Sequence, residues 1–186
     1  CHSLGTMHLI HKALLHILYL QSNFVRKQIS PLQFGEYIIF EHKDKFLDNL
    51  DNLGHSWWDS KDKDTIIQSA RLAALFHDIG HGPFNHLFED VYEKLGIKFN
   101  HEVQSQKIIK EKFKDKLEKS VAYDYILDIL DPKGRAPPFM HALIDGPFDC
   151  DKLDYLQRDS YHAGTKEYGT LDMREFLMVL GLYEKV

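Results

Sequence analysis

The sequence predicts a mainly all-α protein, and three observations carry that expectation. Apolar residues recur at helical spacing in one segment after another. Gly, Pro and Asn stand between those segments, where helices stop and start. The composition, 44% hydrophobic and 27% charged over 186 residues, suits a single globular domain over 1–186. A chain of this length buries roughly 70% of its unfolded surface, so its helices can pack without disulfide or metal staples.

The first helix is expected over His8 to Gln21, where Leu9, Ala13, Ile17 and Leu20 share a face with Leu14 and Leu18 beside them. Ser30-Pro31 opens a second, with proline at a tolerated early position, and it runs through 36–50 to a stop near Gly54. A third covers Lys63 to Phe76, turning Ile66, Ile67, Ala70, Ala73 and Ala74 inward, with Asp64 in the N-cap role. Residues 77–83, with two glycines and a proline, break the helix. It resumes near Asn85 and ends at Gly96 as a left-handed cap. Asn100 caps 101–114; Ser120 caps 121–131, which Pro132-Lys133-Gly134 closes. A short helix at Pro138 to Leu143 and a longer one at Phe148 to His162 follow. A short strand near the C-terminal end, at 176–184, is the one departure from helix the sequence permits. There is no internal repeat, and the charged run 107–119 reads as a solvated helix face.

Charge and cysteine usage exclude several classes. Lys and Arg number 23 against 28 Asp and Glu, a net charge of −5, so the chain is poorly suited to gripping nucleic acid by its phosphates. Cys1 and Cys150 are too few for a secreted disulfide scaffold. No apolar run approaches the roughly 18–20 residues of a membrane span, and nothing reads as a signal peptide. A cytoplasmic or otherwise intracellular protein with no membrane partner is the expectation. The missing initiator Met and the abrupt end at Val186 read as truncation at both ends.

Histidine stands out, at 12 residues. In Phe76-His77-Asp78-Ile79-Gly80-His81, an adjacent imidazole and carboxylate at a helix end offer nitrogen and oxygen to one borderline or hard divalent ion. The turn that follows throws His81 and His86 back toward the same end. In the stretch Asp149 to Asp159, the residues Asp151, Tyr155 and Asp159 fall at i, i+4 and i+8 on one helix face, with Lys152 at its edge. Such a stripe packs badly but makes a floor for a metal–phosphate–sugar assembly, Lys152 facing phosphate. Asp154 and Arg158 fit a surface i, i+4 pair. Plainer readings hold for others: His8, His11 and His16 as packing or surface residues, His42 and His55 as solvated, and Trp57-Trp58 as an anchor under a loop. His162 is a candidate for the pocket wall, and His141 has no assigned role. Cys150, between two acids, reads as inert because negative neighbours raise a thiol pKa.

Taken together, His2-Ser3-Leu4-Gly5, His77-Asp78-Ile79-Gly80-His81-Gly82-Pro83-Phe84 and Asp151-Lys152-Leu153-Asp154-Tyr155 resemble the HD-domain metal-dependent phosphohydrolases. The extended second and third motifs look like the deoxynucleoside triphosphate triphosphohydrolase branch, to which the sterile-alpha-motif and HD-domain enzyme and its bacterial relatives belong. The resemblance covers roughly residues 2–180. It implies a helical fold in which His2, His77, Asp78 and Asp151 ligate one divalent ion, of which Mn, Fe, Mg and Zn all suit the donor set. It implies a catalytic cluster of His81, His86, Glu89 and His101 near the α-phosphate, with Glu89 where the vertebrate relative carries Asp. It also implies that Lys152, Tyr155 and Asp159 contact the triphosphate and sugar. The implied reaction cleaves a dNTP between the 5′ oxygen and the α-phosphorus, giving deoxynucleoside and tripolyphosphate, and the branch generally assembles as homo-oligomers. The rival readings are an HD-type nucleotidase or phosphodiesterase acting on other nucleotides, and a nucleotide-sensing module without turnover.

Overall fold

The computed structural model of the chain describes residues 2–17, 63–119 and 123–165, together with Asp172, Phe176 and Leu180. Eight α-helices follow one another among these residues: α1 (His2–Leu15), α2 (Lys63–Phe76), α3 (His86–Lys94), α4 (His101–Ile108), α5 (Lys114–Leu117), α6 (Tyr123–Leu130), α7 (Pro138–Ala142) and α8 (Cys150–Ala163). The all-α expectation holds, and no strand occurs among the described residues. In the segment read as a strand, Phe176 N–H donates to Asp172 O (2.9 Å) and Leu180 N–H to Phe176 O (3.1 Å), the i→i−4 spacing of a helix. The other residues of that segment lie outside the described ones, as do the helix expected from Ser30-Pro31 onward, His42, His55 and Trp57-Trp58.

The core forms where α2 packs against α1 and α6, while α1 also packs on α8. Ile66, Ile67, Ala70, Ala73 and Ala74 of α2 are all buried, as their spacing requires. Three alanines on that face let α1 and α6 approach closely. On α1 the buried set is Ile10, Ala13 and Leu14, continued by Ile17. The helix starts six residues earlier than its apolar period suggests, because the first turns bury Thr6 while Leu4 faces outward. Asp64 lies inside the first turn of α2, not before it; there its charge still meets the positive end of the helix dipole.

Local signals set the other helix ends. Gly96 adopts φ 72°, the left-handed stop expected after α3. The Asn100 side chain accepts from Val103 N–H at 2.8 Å and caps α4. The single helix expected over 101–114 is α4 followed by a π turn, Ile109–Phe113, and then α5. Helix α8 begins two residues later than the sequence suggests, because Asp149 caps it and Phe148 lies outside. α3 buries none of its residues, and Leu87, Val91 and Leu95 form an exposed apolar stripe along it.

Candidate metal centre and its cavity

Four side chains from three parts of the chain meet where α1, the turn after α2 and the first turn of α8 come together. His2, His77, Asp78 and Asp151 each present a nitrogen or carboxylate oxygen within 4.8 Å of the others. His2 Nε2 lies 2.6 Å and His77 Nε2 3.2 Å from Asp151 Oδ1. Asp78 Oδ1 is 3.2 Å from His77 Nε2, and its Oδ2 is 3.7 Å from His2 Nε2.

The far nitrogen of each ring shows how the rings are aimed. His77 Nδ1 lies 2.7 Å from the carbonyl of Ala74, one helical turn earlier. A carbonyl only accepts, so Nδ1 carries the hydrogen and Nε2 is left as the inward lone pair in the neutral ring. His2 Nδ1 faces the Asp154 carboxylate at 2.8 Å, with the same result. Two inward imidazole nitrogens and two carboxylates make a donor set for a divalent cation, with coordination positions left for water or substrate. The carboxylates dominate the electrostatics of the group. Burial alone would lower the His77 pKa, yet its hydrogen bond to the Asp151 carboxylate and the charge of Asp78 raise it. Burial would raise the Asp151 pKa, and His77 and His2 hold it below the ordinary range instead.

The turn carrying His77 and Asp78 is fastened from outside. Ser105 of α4, 1% exposed, accepts from Gly80 N–H at 2.8 Å and donates to His77 O at 2.6 Å. Gly80 has no room for a side chain, because a Cβ there would overlap the backbone of His101 and Ser105. Further along, Phe84 and Asn85 both take positive φ (67° and 51°), a conformation that L residues adopt only when their surroundings force it.

The second predicted group also converges: His81, His86, Glu89 and His101 hold donor atoms within 4.8 Å of one another. Glu89 Oε1 accepts from the His101 backbone N–H (2.8 Å) and lies 2.9 Å from His101 Nδ1, while Oε2 lies 3.1 Å from His86 Nδ1. Burial opposes the Glu89 charge, but the bonds from His101 and His86 outweigh it and bring its pKa down to about 2. Glu89 thus orients two imidazoles at once. His81 stacks on His101 with ring centroids 3.9 Å apart, and burial followed by the charge of His101 lowers its pKa.

Both groups open onto one cavity of about 600 Å³, which Lys152, Tyr155 and Asp159 also line. The stripe at i, i+4 and i+8 on α8 thus faces the cavity as its spacing indicates. Lys152 is not a free cation: its Nζ donates to Gly146 O at 2.9 Å and Asp149 Oδ2 at 2.6 Å. His141 joins the wall, whereas His162 lies on a separate groove between α1 and α8. Cys150 is buried, and burial together with Asp149 and Asp151 pushes its thiol up to about 12, so it is inert at neutral pH.

One sequence reading is corrected. Asp154 and Arg158 are not a surface pair: Asp154 is only 9% exposed and bonds His2 as well as Arg158. The i, i+4 spacing of Asp and Arg is the same on a surface as in an interior. His2 and Gly5 of α1 lie against the Asp154 carboxylate and cover it, a contact between distant segments.

The profile of the HD domain matches residues 33–158, which is most of the chain. The chain belongs to the HD-domain family. HD domains bind divalent metal ions, and the His2, His77, Asp78 and Asp151 group supplies a fitting donor set in this one. Relatives of this HD domain include an uncharacterised protein of Methanocaldococcus jannaschii, 36% identical over 118 residues, which are 63% of this chain and 23% of that protein. Another is the deoxynucleoside triphosphate triphosphohydrolase SAMHD1 homolog of Dictyostelium discoideum, 38% identical over 106 residues, 50% of this chain and 20% of that one. The crystal structure of a phosphohydrolase from Bacteroides thetaiotaomicron is similar over 98% of this chain and 34% of its own, with 26% identity and a TM-score of 0.61. The HD domain described here therefore spans between about a fifth and a third of the proteins it resembles. No described helix is long and apolar enough to cross a membrane.

Proposed function

We propose that this HD domain is the catalytic part of a metal-dependent phosphohydrolase that converts dNTPs to deoxynucleoside and tripolyphosphate. The observation that carries the reading is one cavity lined by two chemically distinct groups: an N₂O₂ cation site and, beside it, imidazoles oriented by a half-buried glutamate. The Dictyostelium relative, named as a dNTP triphosphohydrolase, and the Bacteroides phosphohydrolase support the reaction class.

A divalent ion held by His2, His77, Asp78 and Asp151 would polarise a phosphoryl oxygen and acidify bound water. The chain's own residues do the rest. Cleavage between the 5′ oxygen and the α-phosphorus adds water oxygen to phosphorus and leaves an alkoxide that must gain a proton. His86 is the donor assigned to that step: its side chain is 73% exposed, lines the cavity and bonds Glu89 through Nδ1, which leaves Nε2 to carry the proton. His101, fixed by the same carboxylate, and His81, stacked on it, hold His86 in a preorganised wall. Tyr155 and Asp159 offer a phenol and a carboxylate to sugar hydroxyls. Lys152 serves the phosphates once its ammonium turns from Asp149.

That existing partnership of Lys152 favours a second reading, an HD nucleotidase or phosphodiesterase on smaller phosphates, because the cation chain for a triphosphate is shorter by one. The test incubates the intact gene product with the four dNTPs, and with dAMP in parallel, in Mn²⁺, with Asp78→Ala as the blank. Tripolyphosphate and deoxynucleoside resolved by ion exchange, and lost in the variant, are expected. Phosphate from dAMP with no tripolyphosphate from any dNTP would overturn the dNTP reading.

A further inference from the structure

The two histidines of the metal centre are aimed by different devices. His77 donates to a backbone carbonyl of the helix that precedes it, which no substitution removes. His2 depends on one side chain from another helix: Asp154 Oδ2 lies 2.8 Å from its Nδ1. That carboxylate is held in turn. Arg158 donates Nε to Oδ2 at 2.9 Å and Nη2 to Oδ1 at 2.8 Å, a bidentate clamp that fixes both the plane and the position of the group.

The backbone of α1 is built around this pair. A Cβ on Gly5 would overlap the Asp154 carboxylate and come within 2.6 Å of Arg158 Nη2. The helix that carries His2 therefore sits directly on the pair, one turn from the ring it holds. We propose that Asp154 and Arg158 are positioning residues that set the tautomer and orientation of His2 at the metal centre, with Gly5 as the gap that lets them reach it. The inference rests on the metal-centre reading above and adds to it residues outside the ligand quartet.

The test measures Mn²⁺ dissociation constants of the full chain, reading free Mn²⁺ by electron paramagnetic resonance, with thermal unfolding in chelator as the check on folding. Asp151→Asn is the ligand control. Asp154→Asn is expected to weaken binding by about 10- to 100-fold, the range for groups that orient metal ligands. Arg158→Gln should move it the same way by less, and Arg158→Lys should recover part of the loss. Because Asp154 acts through His2, adding Asp154→Asn to His2→Ala should change the constant no further. A purely structural role would leave the two effects additive and overturns the proposal. So does loss of the ion in Asp151→Asn with wild-type affinity in folded Asp154→Asn and Arg158→Gln, a result that leaves the metal centre itself standing. No Mn²⁺ uptake by the wild type would instead overturn the metal-centre reading and this proposal with it. If Asp154→Asn does not fold, the less buried end of the pair, Arg158→Gln against Arg158→Lys, decides the matter alone.

Discussion

Removing a single oxygen from Ser105 should loosen half of the metal centre. Ser105→Ala deletes a hydroxyl that both accepts from Gly80 N–H and donates to His77 O, at a site 1% exposed. The variant leaves a buried amide and a part-buried carbonyl short of a partner. A buried group left unmet costs about 1–3 kcal/mol, and the part-buried carbonyl costs less because solvent reaches it, so a loss of about 2–4 kcal/mol is expected. For a chain of this size that is a fall of roughly 4–15 °C in melting temperature. Ser69→Ala is the matched control: Ser69 is as buried, but its hydroxyl donates only to Thr65 O within α2, so its loss should be smaller and should not touch the site. Urea unfolding in chelator reads the stability, and Mn²⁺ affinity reads the turn that carries His77 and Asp78. A midpoint shift below about 0.5 kcal/mol with unchanged Mn²⁺ affinity would refute the claim that Ser105 fastens that turn.

Two further outcomes can be checked on the same protein. The Glu89 pKa, depressed to about 2, implies stability that is fully present above the unfolded value of 4.5 and lost as pH falls through about 2. The difference in unfolding free energy between wild type and Glu89→Gln should therefore be flat from neutrality to about pH 5 and shrink below it; a difference that grows on acidification contradicts the assignment. In a Cys1→Ser background, Cys150 should resist a disulfide reagent at mildly alkaline pH and react fully in strong denaturant, as its pKa near 12 requires. Rapid labelling of the folded protein would show that α8 opens at its start.

Much of the candidate site was legible because its chemistry is written in contiguous residues. His77-Asp78 ends a helix whose five inward positions all keep the 3.6-residue period, so both the break and the two side chains could be placed. Asp151, Tyr155 and Asp159 share a face by arithmetic alone. What could not be read depends on contacts between distant segments. Asp154 looks like a solvated partner of Arg158 until α1 covers it. Ser105 sits in a helix of weak amphipathicity, and nothing nearby in sequence indicates that its hydroxyl reaches back to residue 77. The start of α1 was hidden because Thr6 is buried and Leu4 is exposed, the reverse of the pattern that marks a helical face. The π turn at Ile109–Phe113 carries no signal of residue type that separates it from the helix on either side.

Helix α8 is pinned at both ends, by the Asp149 cap at one and by Gly164, at φ 67°, at the other. Between them the rise of a straight α-helix sets Asp151 and Asp159 about 12 Å apart along the axis, with Tyr155 midway. The spacing of these three cavity-lining side chains along the axis is thus fixed by a rigid rod. A loop could adjust to ligands of different length; this rod acts as a gauge. Selectivity by length would therefore be changed by residues at the steps of the gauge, and loop insertions elsewhere in the fold would leave it as it is.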